Sequence, residues 1–509
     1  MWAPFCLPLI ALAAAFKARG DIPINHDVAW LLLVAGRMLA GGTYSADFFE
    51  LNMPLAVAAH IPPHGLARLF GLALPTAMMI WVDLLIVQCL VLMIWVGPPG
   101  TGSAMRPLSS PIGLTWLVVG LVLLPGYDFG QREHLVAVLA LPFLAWIATD
   151  GAPTSLAVRI YTAFLAAIGF FLKPHFAALP LLLLLLRAYR ERSWRSLRSV
   201  EAATLLAAGI ANALVVLLIY PDWFVCARWA ADLYGVYRSS SLGQMLEPES
   251  LPSFGVAFIL LVALVAYRRN FRSTTGVFLL ASAYCWVIYL LEAKGWRYQF
   301  LPAAIFTFAA VPLAWTALVA NPTSSRRSRI VAGTLAAAVA ILIAERSVAA
   351  TRDAPRLSQL PRTLIGKVLG IPKKGDYVYA FTTAMVPVFP TVVLFDLHWA
   401  SRYASLWPLA GLAAAPQDQS ERARKLWANY RPKLIAAVQD DFRRYRPPVV
   451  IVDLREGQFG LPPDFDMLGF FLASPEFQRI WSAYVKIAVS PEYAVYVRRE
   501  EAPPDDSHK

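Results

Sequence analysis

The chain has 509 residues, of which 58% are apolar and 15% charged, and its mean hydropathy is +0.55. A soluble domain carries about 25% charged residues, so this composition excludes an ordinary soluble protein. The net charge of +12 does not indicate nucleic-acid binding, because the basic residues cluster in short loops between apolar runs, as they do in membrane proteins. The four cysteines form no CxxC motif or Cys/His cluster, so the sequence predicts no metal site.

Apolar runs of membrane-crossing length recur along the first 350 residues. The first run could be a signal peptide, but it lacks a basic leading segment and is better explained as an uncleaved helix. Residue 17 lies on the outer side in either case. The predicted spans are 2–16, 71–96, 111–125, 134–149, 157–172, 176–189, 201–220, 252–267, 274–291, 299–319 and 330–348.

Three arginine-rich loops set the predicted orientation of the spans. They follow alternate spans and therefore share one side of the membrane, which the positive-inside rule makes the cytoplasm. The loops carry Arg187, Arg190, Arg192, Arg195 and Arg198, then Arg268, Arg269 and Arg272, then Arg326, Arg327 and Arg329. Segments 17–70, 126–133, 173–175, 221–251 and 292–298 and the tail from residue 351 are then extracytoplasmic, and they contain most of the acids and histidines.

The first external loop, 17–70, is predicted to contain two interfacial helices, at 26–40 and 55–69. Asn25 or Asp27 would cap the first helix or place an acid in its first turn. A carboxylate there could also act as a general base, although local evidence alone favours the cap. Asp47 and Glu50 are either solvated loop acids or groups that face one cleft.

Three later external segments place charged and aromatic side chains together. In 127–134, YDFGQREH, the side chains Arg132, Glu133 and His134 are costly near lipid unless they face a cavity or a partner. The alternative is a polar helix entry with local ion pairs. Segments 173–175 and 294–298 each place cations at the outer interface, and the second sets Lys and Arg beside Trp and Tyr. This suits an anionic lipid headgroup or an aromatic belt with snorkelling anchors.

The 221–251 loop carries Asp222-Trp223 and Arg228-Trp229, which fit either a weak sugar site or an interfacial helix. The tail, 351–509, is predicted to be a small α/β domain. Segments 377–381, 388–394 and 448–452 are typical of strands and 421–438 of an amphipathic helix. The tail contains no Gly-rich phosphate loop, so nothing in it indicates nucleotide binding.

The order of these parts resembles the GT-C glycosyltransferases, which take a sugar from a polyprenyl-phosphate donor. The resemblance lies in the acid of NHDVAW, in the block GGTYSADFFELNMPL, and in QREH, FLKPH and KGWRY. It implies an all-α polytopic membrane bundle of about eleven transmembrane helices over 1–350, followed by a C-terminal extracytoplasmic α/β domain over 351–509. It also implies a multi-pass protein of the inner (plasma) membrane with a periplasmic tail.

The resemblance further implies an inverting transferase that acts on a lipid or cell-envelope glycan acceptor. Asp27 matches the catalytic acid, and Glu50 and Asp47 accompany it. The phosphate of the donor would be bound by Lys173, Lys294, Arg297 and Arg132. The substrates would be contacted by Glu133, His134, His175, Trp296 and Tyr298. No metal or other cofactor is required by this scheme, and the expected partners are membrane lipids, the lipid-linked sugar and the acceptor, without nucleic acid.

The sequence departs from the family pattern at two places. Asn52-Met53-Pro54 has one proline where the family has two, and no second acid adjoins Asp27. The second departure disfavours the protein-mannosylating branch. The rival interpretations are a transporter or flippase of lipid-linked sugars, which needs no base, and a non-catalytic subunit for envelope assembly. A transporter is expected to have related halves and interrupted helices at the membrane midplane, and the sequence has neither.

Overall fold

The structure of the protein is a computed structural model. It describes residues 6–97, 105–149, 155–238, 240–247, 251–267, 273–319, 326–386, 388–413, 420–455, 458 and 460–499. The arginine cluster at 268–272 lies outside these residues. The chain divides into two compact units. Unit 1 comprises 1–28, 52–220 and 240–357, and unit 2 comprises 29–51, 221–239 and 358–509.

Unit 1 is built from helices whose apolar side chains form its core. Its longer helices are Cys6–Arg19, Ile61–Phe70, Leu74–Val96, Pro111–Val118, Arg132–Ala148, Leu156–Phe171, Leu179–Glu191, Val200–Leu214, Leu251–Tyr267, Thr274–Glu292, Leu301–Val319 and Arg326–Arg352. Short helices or helical turns lie at Pro54–Ala58, Arg106–Ser109, Val119–Leu123, Gly126–Asp128, Pro174–Phe176, Trp194–Arg198, Val215–Ile219, Leu242–Leu246 and Arg297–Phe300.

Each of the eleven predicted spans overlaps one of these helices. Within the described residues, four helical segments are long and apolar enough to cross a membrane: Leu74–Val96, Val200–Ile219, Thr274–Glu292 and Arg297–Ala317. Three shorter helices are also apolar: Pro111–Leu123, Leu156–Phe171 and Leu251–Ala266. The number of crossings, about eleven, stays a prediction.

Segment 17–70, predicted to be the first external loop, contains the helices predicted for it, with one difference. Helix His26–Leu39 agrees with the predicted 26–40, and it belongs to unit 1 as far as Val28 and to unit 2 from Ala29. The second stretch is two helices, Pro54–Ala58 and Ile61–Phe70, rather than one. Pro62 and Pro63 occupy the first turn of the later helix, where their missing N–H groups cost nothing.

Unit 2 contains a five-stranded mixed sheet and several helices. The strands are β1 (Tyr377–Phe381), β2 (His398–Trp399), β3 (Val449–Asp453), β4 (Tyr484–Val489) and β5 (Tyr493–Arg498), in the order β2-β1-β3-β5-β4. β1 is parallel to β2 and β3, whereas β5 is antiparallel to β3 and β4. The helices and helical turns are Trp223–Leu233, Tyr234–Tyr237, Leu357–Arg362, Leu364–Leu369, Val388–Leu394, Trp407–Ala413, Glu421–Tyr445, Met467–Leu472 and Pro475–Trp481, and Leu357 itself belongs to unit 1.

Helix Glu421–Tyr445 packs on the sheet through aromatic rings. Phe442, on its buried face, lies 4.7 Å from the Tyr379 ring and 5.8 Å from the Phe381 ring of β1. The expected α/β tail and its strands at 377–381 and near 448–452 are present. The prediction of a strand at 388–394 was wrong, because this segment is helical. Pro390 has no N–H for a strand ladder, and the parallel connection from β1 to β2 needs a crossover segment.

Candidate functional site

Asn25 of unit 1 connects the first external loop to the loop that follows the third predicted span. It is fully buried and precedes helix His26–Leu39. Its Oδ1 accepts from the backbone N–H of Asp27 at 2.8 Å, as an N-cap does, and from Gln131 Nε2 at 2.7 Å. Its Nδ2 donates to Oδ1 of Asp128 at 3.1 Å. One side chain therefore bonds to the backbone of Asp27 and to the side chains of Asp128 and Gln131.

Two glycines shape the segment that carries Asp128. Gly126 has φ +54°, and a Cβ there would lie 2.3 Å from the carbonyl oxygen of Ala350. Gly130 has φ +81°. Only glycine adopts these conformations at little cost, so the sequence GYDFG is suited to a tight turn that turns Asp128 into the protein interior.

Asp27 is held by a guanidinium and an amide. Its Oδ2 accepts from Gln131 Nε2 at 3.0 Å and from Arg132 Nη2 at 3.1 Å, while Arg132 Nη1 donates to Asn52. Burial raises the pKa of Asp27, but the neighbouring His26 ring and Arg132 guanidinium outweigh burial and hold this pKa below 3.8. Asp27 is therefore ionised at neutral pH.

Lys173 and Glu133 form a buried ion pair beside Asp27 and Arg132. Only 12% of the Lys173 side chain and 1% of the Glu133 side chain are exposed. Burial lowers the pKa of Lys173 more than the charge of Glu133 raises it. The second carboxylate oxygen of Glu133 is buried and accepts no hydrogen bond from the described residues.

Glu292 holds the next part of the site together. It accepts from Lys294 Nζ at 2.6 Å and from Gln299 Nε2 at 3.1 Å, and His175 Nδ1 lies 3.6 Å from it. Burial and the charge of Lys173 lower the pKa of His175 to about 4, so this ring is neutral at pH 7. Gln299 Oε1 is buried and has no hydrogen-bond partner in the described ranges.

Arg297 pairs with Asp128. Its Nη1 lies 3.4 Å from Asp128 Oδ2, and its Nη2 donates to the carbonyl oxygen of Leu124 at 3.2 Å. Burial raises the pKa of Asp128 to about 6, although Arg297 opposes this shift. Asp128 therefore titrates near physiological pH.

These ionisable groups form one charge-balanced assembly, which we call the polar cluster. Its four carboxylates are matched by four cations, and the charges of the pairs influence one another. Buried charges need such pairing, because leaving water without a partner costs several kcal/mol per ion. The members are Asp27, Asp128, Arg132, Glu133, Lys173, His175, Glu292, Lys294 and Arg297.

The aromatic residues predicted at the site lie against its lysines. Lys294 Nζ is 5.1 Å from the centre of the Trp296 ring, and Lys173 Nζ is 5.5 Å from the centre of the Tyr298 ring. Contacts of this kind, between a cation and the face of an aromatic ring, stabilise a lysine ammonium group that is largely shielded from water. Among the described residues, no three His, Cys, Asp or Glu side chains come close enough to hold a metal ion.

His134, predicted to contact substrate, uses both ring nitrogens on the backbone. Gly130 N–H donates to Nδ1 at 3.1 Å, and Nε2 lies 2.8 Å from the carbonyl oxygen of Leu121. The ring is fully buried. We expect His134→Phe to destabilise the protein by about 1–3 kcal/mol, because one donor and one acceptor lose their partner.

The thermal unfolding midpoint of purified His134→Phe, beside the wild type, measures this effect. The folded His134→Phe protein is expected to bind a polyprenyl-phosphate sugar, the donor that the resemblance implies, with an affinity close to that of the wild type. Unchanged stability with lost donor binding would contradict the structural role.

Asp47 and Glu50 lie in unit 2, where each has its own partners. Asp47 accepts from the backbone N–H of Thr43 at 2.8 Å and pairs with Arg444 at 2.7 Å. Glu50 is buried and accepts from the indole N–H of Trp30. A catalytic part for either acid stays a prediction.

The sequence does not predict several polar residues of unit 1 as site residues. They are Asn25, Asn52, His60, Asp128, Gln131, Glu292 and Gln299. Glu292 ends a long apolar run, and an acid at that position could have been recognised as a candidate site residue. His60 gave no such signal. It is fully buried, its Nδ1 lies 2.8 Å from the carbonyl oxygen of Ala56, and its Nε2 has no hydrogen-bond partner in the described part of the chain.

Comparison with known proteins identifies the fold. No family model matches the sequence, and no curated protein is similar to it. The chain is similar to a crystal structure of ArnT from Cupriavidus metallidurans bound to undecaprenyl phosphate, with a TM-score of 0.52 over 97% of both chains and 10% identical residues. With its apolar helices, this likeness makes the chain an integral membrane protein. The chain therefore has a fold similar to that of this ArnT structure.

Proposed function

We propose that the protein is a membrane glycosyltransferase that moves a sugar from a polyprenyl-phosphate donor to a lipid or cell-envelope glycan acceptor. The observation that carries the proposal is the ion pair between Asp27 and Arg132 inside the polar cluster. It joins a carboxylate able to accept a proton to a guanidinium suited to a phosphate. The similar ArnT structure, which contains undecaprenyl phosphate, supports a donor of this class.

The reaction is a direct displacement at the anomeric carbon of the sugar. The acceptor oxygen forms the new bond to this carbon, and the bond from the carbon to the phosphate oxygen breaks with its electron pair on the phosphate. The hydroxyl proton passes to Asp27. Polyprenyl phosphate leaves with one more negative charge, which Arg132 and Lys173 stabilise. Attack opposite the leaving group inverts the anomeric centre.

Donor binding activates Asp27 in this scheme. The His26 ring and the Arg132 guanidinium lower the pKa of Asp27, which makes the carboxylate a weak base. A donor phosphate that takes Arg132 removes this charge from Asp27, so the pKa of Asp27 rises when the acceptor is to be deprotonated. The ion pair therefore keeps the base weak until a donor is present.

Buried acceptor atoms in unit 1 fit the hydroxyl groups of a sugar. The second oxygen of Glu133 and Oε1 of Gln299 have no hydrogen-bond partner among the described residues. A buried polar atom without a partner costs about 1–3 kcal/mol, and a sugar hydroxyl donating to it removes this cost. We assign these two atoms to the sugar of the donor. The active face is extracytoplasmic and the membrane is the inner one in this proposal.

The direct test is transfer of labelled sugar from a panel of polyprenyl-phosphate donors in membranes that contain the protein. Label on a lipid or glycan, absent from membranes without the protein, is the expected result. Inversion is checked from the anomeric configuration of the product. Binding of the donors without transfer, together with movement of the intact lipid-linked sugar between leaflets, would contradict the proposal and favour a flippase.

Donor affinity is expected to depend on pH through Asp128. Its pKa is about 6, so it is charged above pH 6 and neutral below. Neutral Asp128 releases Arg297 and gives the polar cluster one net positive charge. The donor phosphodiester remains an anion throughout, so its affinity should rise about tenfold, or about 1.4 kcal/mol, between pH 8 and pH 5.

The dissociation constant of a polyprenyl-phosphate sugar at several pH values measures this effect. Asp128→Asn should bind tightly at all of them, because it imitates the neutral acid. An affinity of the wild type that does not change with pH, or that changes equally in Asp128→Asn, would contradict this role of Asp128.

A further inference from the structure

A pocket in unit 2 lies between two helices, and its lining residues include none of those predicted to be catalytic. Its volume is about 470 Å³, within the range of about 300–1,000 Å³ typical of ligand sites. Helix Trp223–Leu233 contributes Phe224, Val225, Arg228 and Trp229. Helix Glu421–Tyr445 contributes Asn429, Tyr430 and Lys433. On each helix these positions recur at spacings of one and four, so they share one face.

The floor of the pocket is aromatic. Trp229 and Tyr430 are both buried, and their ring centres are 4.8 Å apart in an edge-to-face arrangement. The Tyr430 hydroxyl donates to Asp232, so Tyr430 offers a ligand its ring rather than its proton. Aromatic surface in a pocket of this size accommodates the apolar face of a sugar ring.

The polar groups of the pocket are hydrogen-bond donors. Arg228 and Lys433 are exposed cations, and no acid is among the lining residues. Lys433 Nζ donates to Oδ1 of Asn429 at 2.6 Å, which leaves the amide nitrogen of Asn429 to donate to a ligand. A ligand that satisfies these groups supplies acceptors and a negative charge.

The rim of the pocket is apolar, and a short stretch of chain connects it to a helix long enough to cross a membrane. Phe224 and Val225 are 47% and 45% exposed. They follow the apolar segment Val200–Ile219 by about five residues, which reach at most about 18 Å. Exposed apolar side chains beside exposed cations are typical of a surface that contacts lipid and its headgroup together.

We propose that this pocket binds the headgroup of a membrane lipid that carries a negatively charged sugar. The cations bind the charge, the Trp229 and Tyr430 rings pack against the sugar, and Phe224 and Val225 contact the acyl region. The assignment of this lipid as the acceptor rests on the proposed transferase function, whereas the binding itself does not.

The test uses the full-length protein in phosphatidylcholine nanodiscs. Glucuronosyl diacylglycerol is the probe, because it joins a carboxylate, a sugar ring and acyl chains. Glucosyl diacylglycerol lacks the charge, phosphatidylglycerol lacks the sugar ring, and free glucuronate lacks the lipid. Hydrogen exchange of Trp223–Leu233 and Glu421–Tyr445 is followed as each probe is added.

Only glucuronosyl diacylglycerol is expected to slow exchange in both helices. Arg228→Glu should raise the half-saturating mole fraction about tenfold, the equivalent of about 1.4 kcal/mol, and Lys433→Glu should act similarly. Arg424→Glu is the matched control: Arg424 is exposed on the same helix, but nine residues, or about two and a half turns, place it on the face opposite Lys433. It should leave binding unchanged.

Each other result overturns the proposal. Equal protection by glucosyl diacylglycerol excludes recognition of the charge, and equal protection by phosphatidylglycerol excludes recognition of the sugar. Equal protection by free glucuronate excludes a lipid ligand. An equal effect of Arg424→Glu means that general surface charge, rather than the pocket, governs binding.

The measurement is made without donor, on the wild type and on Asp27→Asn, so it is independent of sugar transfer. Binding by both proteins without any transfer from polyprenyl-phosphate donors would retain the pocket and remove the transferase function. Transfer without binding at these helices would do the reverse.

Discussion

Replacing Asp27 by asparagine is expected to lower the turnover of sugar transfer about 100- to 10,000-fold, the usual contribution of a general base. The substitution preserves size and keeps an oxygen for Gln131 and Arg132, so the local fold should persist. The donor should bind at least as tightly as in the wild type, because Arg132 loses its competing carboxylate. A fall in kcat with an unchanged or lower KM for the donor is therefore the expected pattern.

Initial rates with a polyprenyl-phosphate sugar at varied concentration measure both constants. The matched control is Asp396→Asn, because Asp396 is in an ion pair with Lys374 but its side chain is 65% exposed. Its rate should stay within about twofold of the wild type. An Asp27→Asn enzyme with full turnover would remove Asp27 as the base, and Glu133 would be the next acid to test.

Replacing Lys173 by methionine is expected to destabilise the protein by about 3–5 kcal/mol, since it leaves the carboxylate of Glu133 buried without its partner. Adding Glu133→Gln removes the stranded charge and should recover most of this stability. Neither protein should transfer sugar at an appreciable rate, because both lack the Lys173 cation at the leaving phosphate. The double variant also lacks the Glu133 carboxylate that contacts the sugar.

Thermal unfolding in detergent measures the effect on stability, and transfer assays on the same preparations measure the effect on activity. Lys374→Met is the control, since the same substitution there breaks an ion pair whose lysine is 81% exposed and is expected to cost no more than about 1 kcal/mol. Recovery of activity together with stability in the double variant would contradict the proposed role of Lys173 at the phosphate.

Much of the fold follows from the sequence because helices in a membrane protein are marked locally. Leu74–Val96 and Val200–Ile219 are continuous apolar runs, and helix Glu421–Tyr445 has a regular polar and apolar face. The composition of segment 388–394, rich in Val and Phe, is typical of a strand, whereas the single Pro390 is the one residue in it that disfavours a strand. Local sequence patterns also do not predict the limits of the two units, since these limits depend on contacts between distant parts of the chain.

The sequence predicts which types of residue gather at the candidate site, but not which of them form ion pairs with one another. The external loops were identified as the place where acids and cations gather, and Asp27, Arg132, Lys173 and Lys294 lie together in unit 1. Lys173 pairs with Glu133, 40 residues away along the chain, and Asp27 pairs with Arg132, 105 residues away. Local charge patterns carry no information on such pairs. Asn25 was expected as a helix cap, but its bonds to Gln131 and Asp128 depend on the folded loop.

The position of Asn25 has a consequence for recognising related chains. Its side chain joins the backbone of Asp27 to the side chains of Asp128 and Gln131, so substitution of Asn25, Asp128 or Gln131 alters the hydrogen bonds of the group. In a set of homologues they should change together. An asparagine two residues before an acid, with a Gly-flanked aspartate and a Gln-Arg pair about a hundred residues later, would then separate true relatives from other multi-span proteins better than overall similarity does.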